Sequence, residues 1–230
     1  MSSPSNSRHE VVDSYVATHL ITPNKALEHA VENSTKRGLP MIAVSPVQGK
    51  FTSLLASLSS TRNLLEIGTL GGYSTIWFAQ ALKGQGKVTS IEIDQSRRDI
   101  AVENLQFGGF KPKDVDVILG AGLDVLPRLA NEIKQGKREP FDFIFIDADW
   151  ENQWNYFDFG VKLSAGKGSV VYVDNAVRNL VESDIDQSGS LESGKDGLVA
   201  KVGRDDRVDA VVMQTVGGKD YDGFLLAVVK

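Results

Sequence analysis

Apolar and polar positions follow a repeating pattern from residue 63 onward, in which short apolar runs alternate with amphipathic segments. The apolar runs predict five strands, at Asn63–Ile67, Lys87–Ile93, Val115–Leu119, Phe141–Ile146 and Ser169–Val173. The segments between them predict helices near Ser74–Lys83, Ser96–Gln106, Asp124–Lys134 and Gln153–Leu163. A strand–helix–strand order repeated in this way indicates a doubly wound parallel sheet with right-handed crossovers.

The N-terminal part has helical periodicity instead. Residues 9–37 predict helix, with a new helix start at Thr22 as the N-cap and Pro23 in the first turn. Residues 45–60 predict an amphipathic helix whose apolar positions share helical spacing: Val47, Phe51, Leu54, Leu55 and Leu58. We therefore expect N-terminal helices over residues 9–60, preceded by a disordered tail at residues 1–8.

The C-terminal part predicts a different connection. Two apolar strands, Val208–Val216 and Gly223–Val229, are separated by a segment too short for a crossover helix. They should pair antiparallel, as a hairpin at one edge of the sheet. Residues 182–197 are polar and rich in Gly and Ser, which predicts a mobile loop beside the fifth strand.

Composition limits the classes of function. The chain has 230 residues, 41% of them hydrophobic, which is enough for one α/β domain with a buried core. The net charge of −5 argues against nucleic acid or a membrane surface as a partner. The absence of cysteine excludes disulfides and thiol nucleophiles and is compatible with a cytoplasmic location.

The loop after the first strand predicts a ligand that contains a nucleoside but no phosphate. Its pattern is Glu66-x-Gly68-x-x-x-Gly72, and the dinucleotide fingerprint fails because Leu70 stands where a second glycine is required. An acid before the glycines would repel a pyrophosphate but suits a cationic ligand. Glu92, at the end of the second strand, is placed to accept hydrogen bonds from ribose hydroxyls. S-adenosylmethionine meets these conditions.

Oxygen-bearing side chains follow two other predicted strands. Asp147 follows the fourth strand, and Asp174 and Asn175 follow the fifth. The carboxyl ends of parallel strands meet at one edge of a sheet, and two carboxylates with an amide oxygen suit Mg²⁺ or a similar divalent cation. Simpler roles stay open, because Asp147 also fits a helix N-cap and Asp174-Asn175 a turn.

These segments together resemble the cation-dependent O-methyltransferases, which include caffeoyl-CoA and catechol O-methyltransferases. The resemblance rests on Leu65–Ser74, Phe145–Asp149 and Val173–Asn175, with the lead-in segment Gly38–Phe51. It implies an α/β Rossmann-like mixed sheet of seven strands in the order 3-2-1-4-5-7-6, the last strand antiparallel, with helices on both faces. It also implies a single methyltransferase domain over residues 1–230, and a homodimer.

The resemblance further assigns site residues. Metal ligands would be Asp147, Asp174 and Asn175, with Asp147 also the catalytic residue through the metal. Contacts with S-adenosylmethionine would come from Val44, Glu66, Gly68, Thr69, Ser74, Glu92, Gly122 and Asp149. Asn179 would contact the substrate, a small aromatic acceptor.

One position departs from the family pattern. A lysine regarded as the general base commonly stands three residues after the first metal aspartate, where this chain has Trp150. The indole nitrogen cannot accept a proton. The general base is therefore unassigned, and Trp150 fits an aromatic wall of the site.

The predicted function is metal-dependent O-methylation of a catechol-type phenol, such as a phenylpropanoid or flavonoid. Three alternatives remain from the residues alone: a methyltransferase for a different diol metabolite, a cofactor-binding protein with weak or no catalysis, and an NAD-dependent dehydrogenase. The failed glycine fingerprint opposes the dehydrogenase.

Overall fold

A seven-stranded mixed sheet forms the centre of the computed structural model, which describes residues 8–183, 197–217 and 220–230. The strands are β1 (Asn63–Ile67), β2 (Lys87–Glu92), β3 (Val115–Leu119), β4 (Phe143–Ile146), β5 (Val170–Val173), β6 (Val208–Gly217) and β7 (Asp220–Val229). Their order is β3-β2-β1-β4-β5-β7-β6, and β7 runs antiparallel to both neighbours. The predicted fold class and strand order are confirmed.

Helices cover both faces of this sheet. They are α1 (Arg8–Leu20), α2 (Lys25–Lys36), α3 (Pro46–Leu58), α4 (Tyr73–Ala81), α5 (Gln95–Phe107), α6 (Gly122–Lys134), α7 (Gln153–Leu163), α8 (Ala176–Ser183) and α9 (Leu198–Val202). A 3₁₀ turn at Trp150–Asn152 precedes α7. The sequence patterns predicted neither α8 nor α9.

The central strands are apolar throughout because they are covered on both sides. Successive side chains of a strand point to opposite faces. In β4, Ile144 and Ile146 belong to the core formed with α6 and α7, whereas Phe143 and Phe145 belong to the core formed with α2, α4 and α5. All four are fully buried. This leaves the carboxyl edge of the parallel strands as the place where polar loops converge.

Helix α3 packs by a face other than its apolar stripe. Its buried residues are Gly49, Thr52, Ser53 and Ala56. Leu54 and Leu58 of the predicted stripe are 49% and 81% exposed. The reason is the close approach of α4, since a Cβ atom on Gly49 would lie 2.4 Å from Nε1 of Trp77. Only small side chains fit on the face toward α4.

The predicted start of the second helix is wrong. Asn24, not Thr22, is the N-cap of α2, and its side chain accepts hydrogen bonds from the backbone amides of Ala26 and Leu27. Pro23 precedes the cap and helps to separate α2 from α1. No residue of α1 is buried, so its apolar side chains face outward in the single chain.

The C-terminal hairpin is longer than predicted. Pairing runs from Val208↔Val229 to Gly217↔Asp220, so polar residues before Gly223 also belong to β7. Most of the predicted loop at 182–197 and nearly all of the predicted tail at 1–8 lie outside the described residues, although Arg8 is helical. None of the helices in the described ranges is long and apolar enough to cross a membrane.

Candidate active site

A cavity of about 1450 Å³ opens at the carboxyl edge of the parallel strands. Most of the predicted site residues line it: Val44, Gly68, Thr69, Ser74, Glu92, Gly122, Asp147, Asp149, Trp150, Asp174 and Asn175. The predicted cofactor loop and the predicted metal residues therefore share one cavity. Glu66 and Asn179 are the two predicted residues that lie behind its wall, and their contacts are described below.

The glycine loop is shaped by backbone conformations that favour glycine. Gly68 has φ +96° and Gly72, at the start of α4, has φ +78°. A Cβ atom on Gly68 would lie 1.9 Å from the carbonyl oxygen of Asp147, so a side chain has no room there. Glycine at position 68 thus lets the cofactor loop and the loop after β4 touch through their backbones.

Glu92 holds the same loop from the end of β2. Its carboxylate accepts hydrogen bonds from the backbone amides of Thr69 (3.3 Å), Leu70 (2.8 Å) and Asp94 (3.0 Å). The side chain also lines the cavity. Glu92 therefore stabilises the loop and presents carboxylate to whatever the cavity binds.

Glu66 is fully buried beneath the loop. Its carboxylate accepts hydrogen bonds from the hydroxyls of Ser74 (2.5 Å), Thr75 (2.5 Å) and Ser90 (2.6 Å). Burial raises the pKa of Glu66 from 4.5 to about 7, although the three hydroxyls oppose the rise and nearby Glu92 adds to it. Glu66 thus ties the start of α4 to β1 and β2, and its direct contact with a cofactor stays a prediction.

The side of the cavity near β3 is built around Tyr156 of α7, whose place in the site the sequence patterns did not predict. Its hydroxyl donates to Asp149 Oδ1 at 2.5 Å, and Asn152 donates to Oδ2 of the same carboxylate at 2.6 Å. A Cβ atom on Gly122 would lie 2.7 Å from the Tyr156 ring. Burial first, and then the Asp149 carboxylate, raise the pKa of Tyr156, so the phenol stays protonated.

The predicted metal residues lie on the opposite side. Asp174 is 7% exposed, and its Oδ1 accepts a hydrogen bond of 2.6 Å from Nε2 of Gln48 on α3. Burial raises the pKa of Asp174 well above its usual range, and the negative charges of Asp147 and Asp222 raise it further. Carboxylates that destabilise one another in a buried place would be stabilised by a cation.

The donor set fits a hard cation by its chemistry. Asp147 and Asp174 supply carboxylate oxygens and Asn175 an amide oxygen, and such oxygen ligands suit Mg²⁺. Within the described ranges, no three His, Cys, Asp or Glu side chains form a group that could hold a metal. A cation here would accordingly need the amide oxygen of Asn175 and further ligands that do not come from the protein.

Asn175 and Asp222 form a contact that the sequence patterns did not predict. Asn175 adopts a left-handed backbone with φ +54°, and its Nδ2 donates to Asp222 Oδ2 at 2.7 Å. The topology could have indicated this contact. Because β7 runs antiparallel beside β5, the first residues of β7 lie next to the carboxyl end of β5, where Asn175 follows.

An aromatic row runs from the core to the metal side of the cavity. Tyr172 is fully buried and stacks between Phe145 and Phe224, with ring centroids 5.4 and 4.7 Å away. Its hydroxyl makes no hydrogen bond of ordinary length and angle with the described residues, although the nearby side chain of Gln48 interacts with it. This hydroxyl is one of two buried side-chain polar atoms in the described ranges without such a hydrogen bond, the other being Nε1 of Trp77.

Asn179 supports the loop that carries Asp174, through the side chain of Gln153. Its Nδ2 donates to Gln153 Oε1 at 2.7 Å, and Nε2 of Gln153 donates to the carbonyl oxygen of Asp174 at 3.1 Å. The predicted substrate contact of Asn179 remains a prediction.

Comparison with known proteins identifies the family. A family model described as O-methyltransferase matches residues 18–228, which is most of the chain. The chain belongs to the O-methyltransferase family. The O-methyltransferase imqG from Aspergillus flavus is 43% identical over 225 residues, covering 95% of this chain and 90% of that protein. A catechol O-methyltransferase from Niastella koreensis is 38% identical, covering 96% of this chain and 97% of that protein.

A solved structure of an O-methyltransferase has the same fold. TomG from Streptomyces achromogenes, an O-methyltransferase solved in complex with SAM, superposes with a TM-score of 0.85 and 35% sequence identity. The match covers 99% of this chain and 100% of that one. The chain is thus an S-adenosylmethionine-dependent O-methyltransferase, and the predicted enzyme class is confirmed.

Proposed function

We propose that this O-methyltransferase transfers the methyl group of S-adenosylmethionine to a hydroxyl of a catechol-type phenol, with the help of a divalent cation. The observation that carries the proposal is the shared cavity, in which the glycine loop after β1 and the acids after β4 and β5 face one space. The catechol O-methyltransferase among the relatives supports the choice of acceptor.

The cofactor side of the proposal rests on the lining residues and their charge. Val44, Gly68, Thr69, Ser74, Gly122 and Asp149 would surround the nucleoside, and Glu92 would accept hydrogen bonds from the ribose. Acidic side chains along the cavity favour a ligand with a sulfonium and an ammonium group over a phosphate. Glu66 would act indirectly, because it holds Ser74 in place from beneath the loop.

The cation side of the proposal rests on Asp147, Asp174 and Asn175, which would hold a divalent ion such as Mg²⁺. When bound, such a cation would lower the pKa of a phenol hydroxyl and help to orient the acceptor. The chain's own contribution is orientation. Gln48 fixes Asp174. The backbone contact between Asp147 and the glycine loop sets the distance between the cofactor side and the cation side of the cavity.

The reaction itself is a single displacement. The phenol oxygen forms a bond with the methyl carbon, the bond from that carbon to sulfur breaks, and the sulfonium becomes a neutral thioether. The phenol proton leaves to solvent or to a carboxylate, since Trp150 cannot accept it. Trp150 lines the cavity and would form an aromatic part of its wall, with no required role in the displacement.

Several broader expectations form part of the same proposal. The acceptor is a small molecule rather than nucleic acid or a membrane, the enzyme acts in the cytoplasm, and residues 1–230 form one methyltransferase domain. We also propose a homodimer. The outward-facing apolar side chains of α1 and α3 support it, among them Tyr15, Leu54 and Leu58, which are 65%, 49% and 81% exposed.

Two other functions remain as candidates. Trp150 at the lysine position favours a cofactor-binding protein with weak or no catalysis. The unassigned acceptor leaves room for a diol metabolite that is not a catechol.

One assay distinguishes these functions. The protein is incubated with labelled S-adenosylmethionine and a panel of catechols and other diols, with and without EDTA, beside Asp147→Ala. The proposal expects methylated catechol that disappears with EDTA and in Asp147→Ala. Transfer that survives EDTA would refute the role of the cation. Cofactor binding without transfer to any member of the panel would favour the non-catalytic function.

A further inference from the structure

Among the described residues, Asp222 accepts three hydrogen bonds and makes one ionic contact beside the proposed metal residues. Its Oδ2 accepts from Nδ2 of Asn175 at 2.7 Å, and its Oδ1 accepts from the backbone amides of Arg178 at 3.1 Å and Gly223 at 2.8 Å. Nε of Arg178 lies 3.7 Å from Oδ2. One carboxylate on β7 therefore ties the loop after β5 to the first turn of α8.

The contact with Asn175 decides which way the amide points. A carboxylate only accepts hydrogen bonds, so the Asn175 atom that faces it must be the NH₂ group. The carbonyl oxygen of a planar amide then points away from Asp222. An amide turned in this way offers oxygen, which a hard cation requires, rather than nitrogen.

The backbone of Asn175 adds to this requirement. Its φ of +54° lies in the left-handed region, which asparagine tolerates better than most side chains. The residue is thus held in an uncommon conformation directly after Asp174, and Asp222 bonds both its side chain and the following helix turn.

We infer that Asp222 is a positioning residue for the cation site, because it fixes the Asn175 amide with its oxygen turned toward the metal. The inference rests on the proposed function, since it presupposes that Asn175 is a metal ligand. Asp222 itself does not have to touch the cation. Partners of this kind, which hold a ligand rather than act as one, typically change metal affinity by about 10- to 100-fold when removed.

The test measures binding of Mn²⁺ alone to the apo protein, by electron paramagnetic resonance of the free ion. Asp222→Ala should weaken Mn²⁺ binding by about 10- to 100-fold. Asp222→Asn has a single acceptor oxygen, which the backbone amides of Arg178 and Gly223 occupy. Its NH₂ group then faces Asn175, so its affinity should fall about as far as that of Asp222→Ala. Asp209→Asn removes one negative charge from an exposed position of β6 and should leave Mn²⁺ affinity unchanged. Affinity for S-adenosylmethionine, measured without any cation, should stay at the wild-type value in all variants, which excludes general loss of structure.

Four results would overturn the inference. If Asp222→Ala binds Mn²⁺ as tightly as the wild type, the amide does not need Asp222. If Asp222→Asn keeps the wild-type affinity for Mn²⁺, an acceptor that faces Asn175 is not required. If Asp222→Ala also loses S-adenosylmethionine affinity, the variant disturbs the whole sheet edge. If the wild type does not bind Mn²⁺, the cation in the proposed function is rejected, and the inference with it.

Discussion

Replacing Glu66 by glutamine should change how the stability of the protein depends on pH. Glu66 is fully buried, and its folded-state pKa of about 7 lies above the ordinary 4.5. A carboxyl group with a raised pKa holds its proton longer in the folded state than in the unfolded chain. The free energy of unfolding should therefore fall as pH rises from about 4.5 to about 7. Below that window Glu66 is protonated in both the folded and the unfolded state.

The magnitude follows from the same shift. Each pKa unit is worth about 1.36 kcal/mol, so a rise from 4.5 to about 7 corresponds to about 3 kcal/mol. Glutamine has no charge to bury. Its oxygen can accept from Ser74, and its NH₂ group can donate to the hydroxyls of Thr75 and Ser90, which rotate to accept. The variant should keep the hydrogen bonds and lose the part of the pH dependence that Glu66 contributes.

The assay is urea unfolding of wild type and Glu66→Gln at several pH values from 4.5 to 8. The stability of the variant minus that of the wild type should grow by about 3 kcal/mol across this range. Glu28→Gln makes the same chemical change on the exposed side of α2 and serves as the matched control. A difference that stays constant with pH would refute the argument, because the ionised Glu66 would then be as stable folded as unfolded.

Three further predictions address the cavity. Gly68→Ala should weaken S-adenosylmethionine binding by about tenfold or more, which is 1.4 kcal/mol, because its Cβ would meet the Asp147 carbonyl at 1.9 Å. Gly38→Ala is the control, since Gly38 also has positive φ but open space around it, and equal effects in both would contradict the steric reason. Trp150→Lys should preserve or raise turnover in the labelled transfer assay, and a large loss would give Trp150 a positive role. Tyr172→Phe should raise the free energy of unfolding by about 1 kcal/mol, because it removes a buried hydroxyl that makes no hydrogen bond of ordinary geometry with the described residues. A loss of stability in thermal unfolding would show that the hydroxyl has one.

Local patterns predicted the sheet well because each strand carries its own signal. Asn63–Ile67 and Val115–Leu119 have the predicted bounds, since each is a short apolar run ended by glycine. Phe141 was predicted as the start of β4 but forms only an isolated bridge with Ser164. The buried face of α3 was harder to infer, because it depends on Trp77 of another helix and not on the helix's own apolar stripe.

Local patterns predicted cavity residues where these follow strands in the sequence, whereas Val44 came from the family resemblance. Asp147, Asp174 and Asn175 stand directly after predicted strands, so topology alone brings them to one edge. Gln48 lies 126 residues from Asp174, and Asp222 lies 47 residues from Asn175. Nothing in a local pattern encodes a hydrogen bond between side chains that far apart. The role of Gln48 emerges only from the packing of α3, whereas that of Asp222 follows from the strand order that places β7 beside β5.

The close backbone contact between Gly68 and Asp147 has a thermodynamic consequence. The loop that would hold the methyl donor and the loop that carries Asp147 touch through their backbones, and the amide of Asp147 also donates to the carbonyl of Ile67 at 2.9 Å. A ligand that shifts one loop by a fraction of an ångström must shift the other. Binding of the donor and of the cation should therefore be linked. Such linkage is reciprocal, so the factor by which one ligand tightens the other is the same in both directions, whichever binds first.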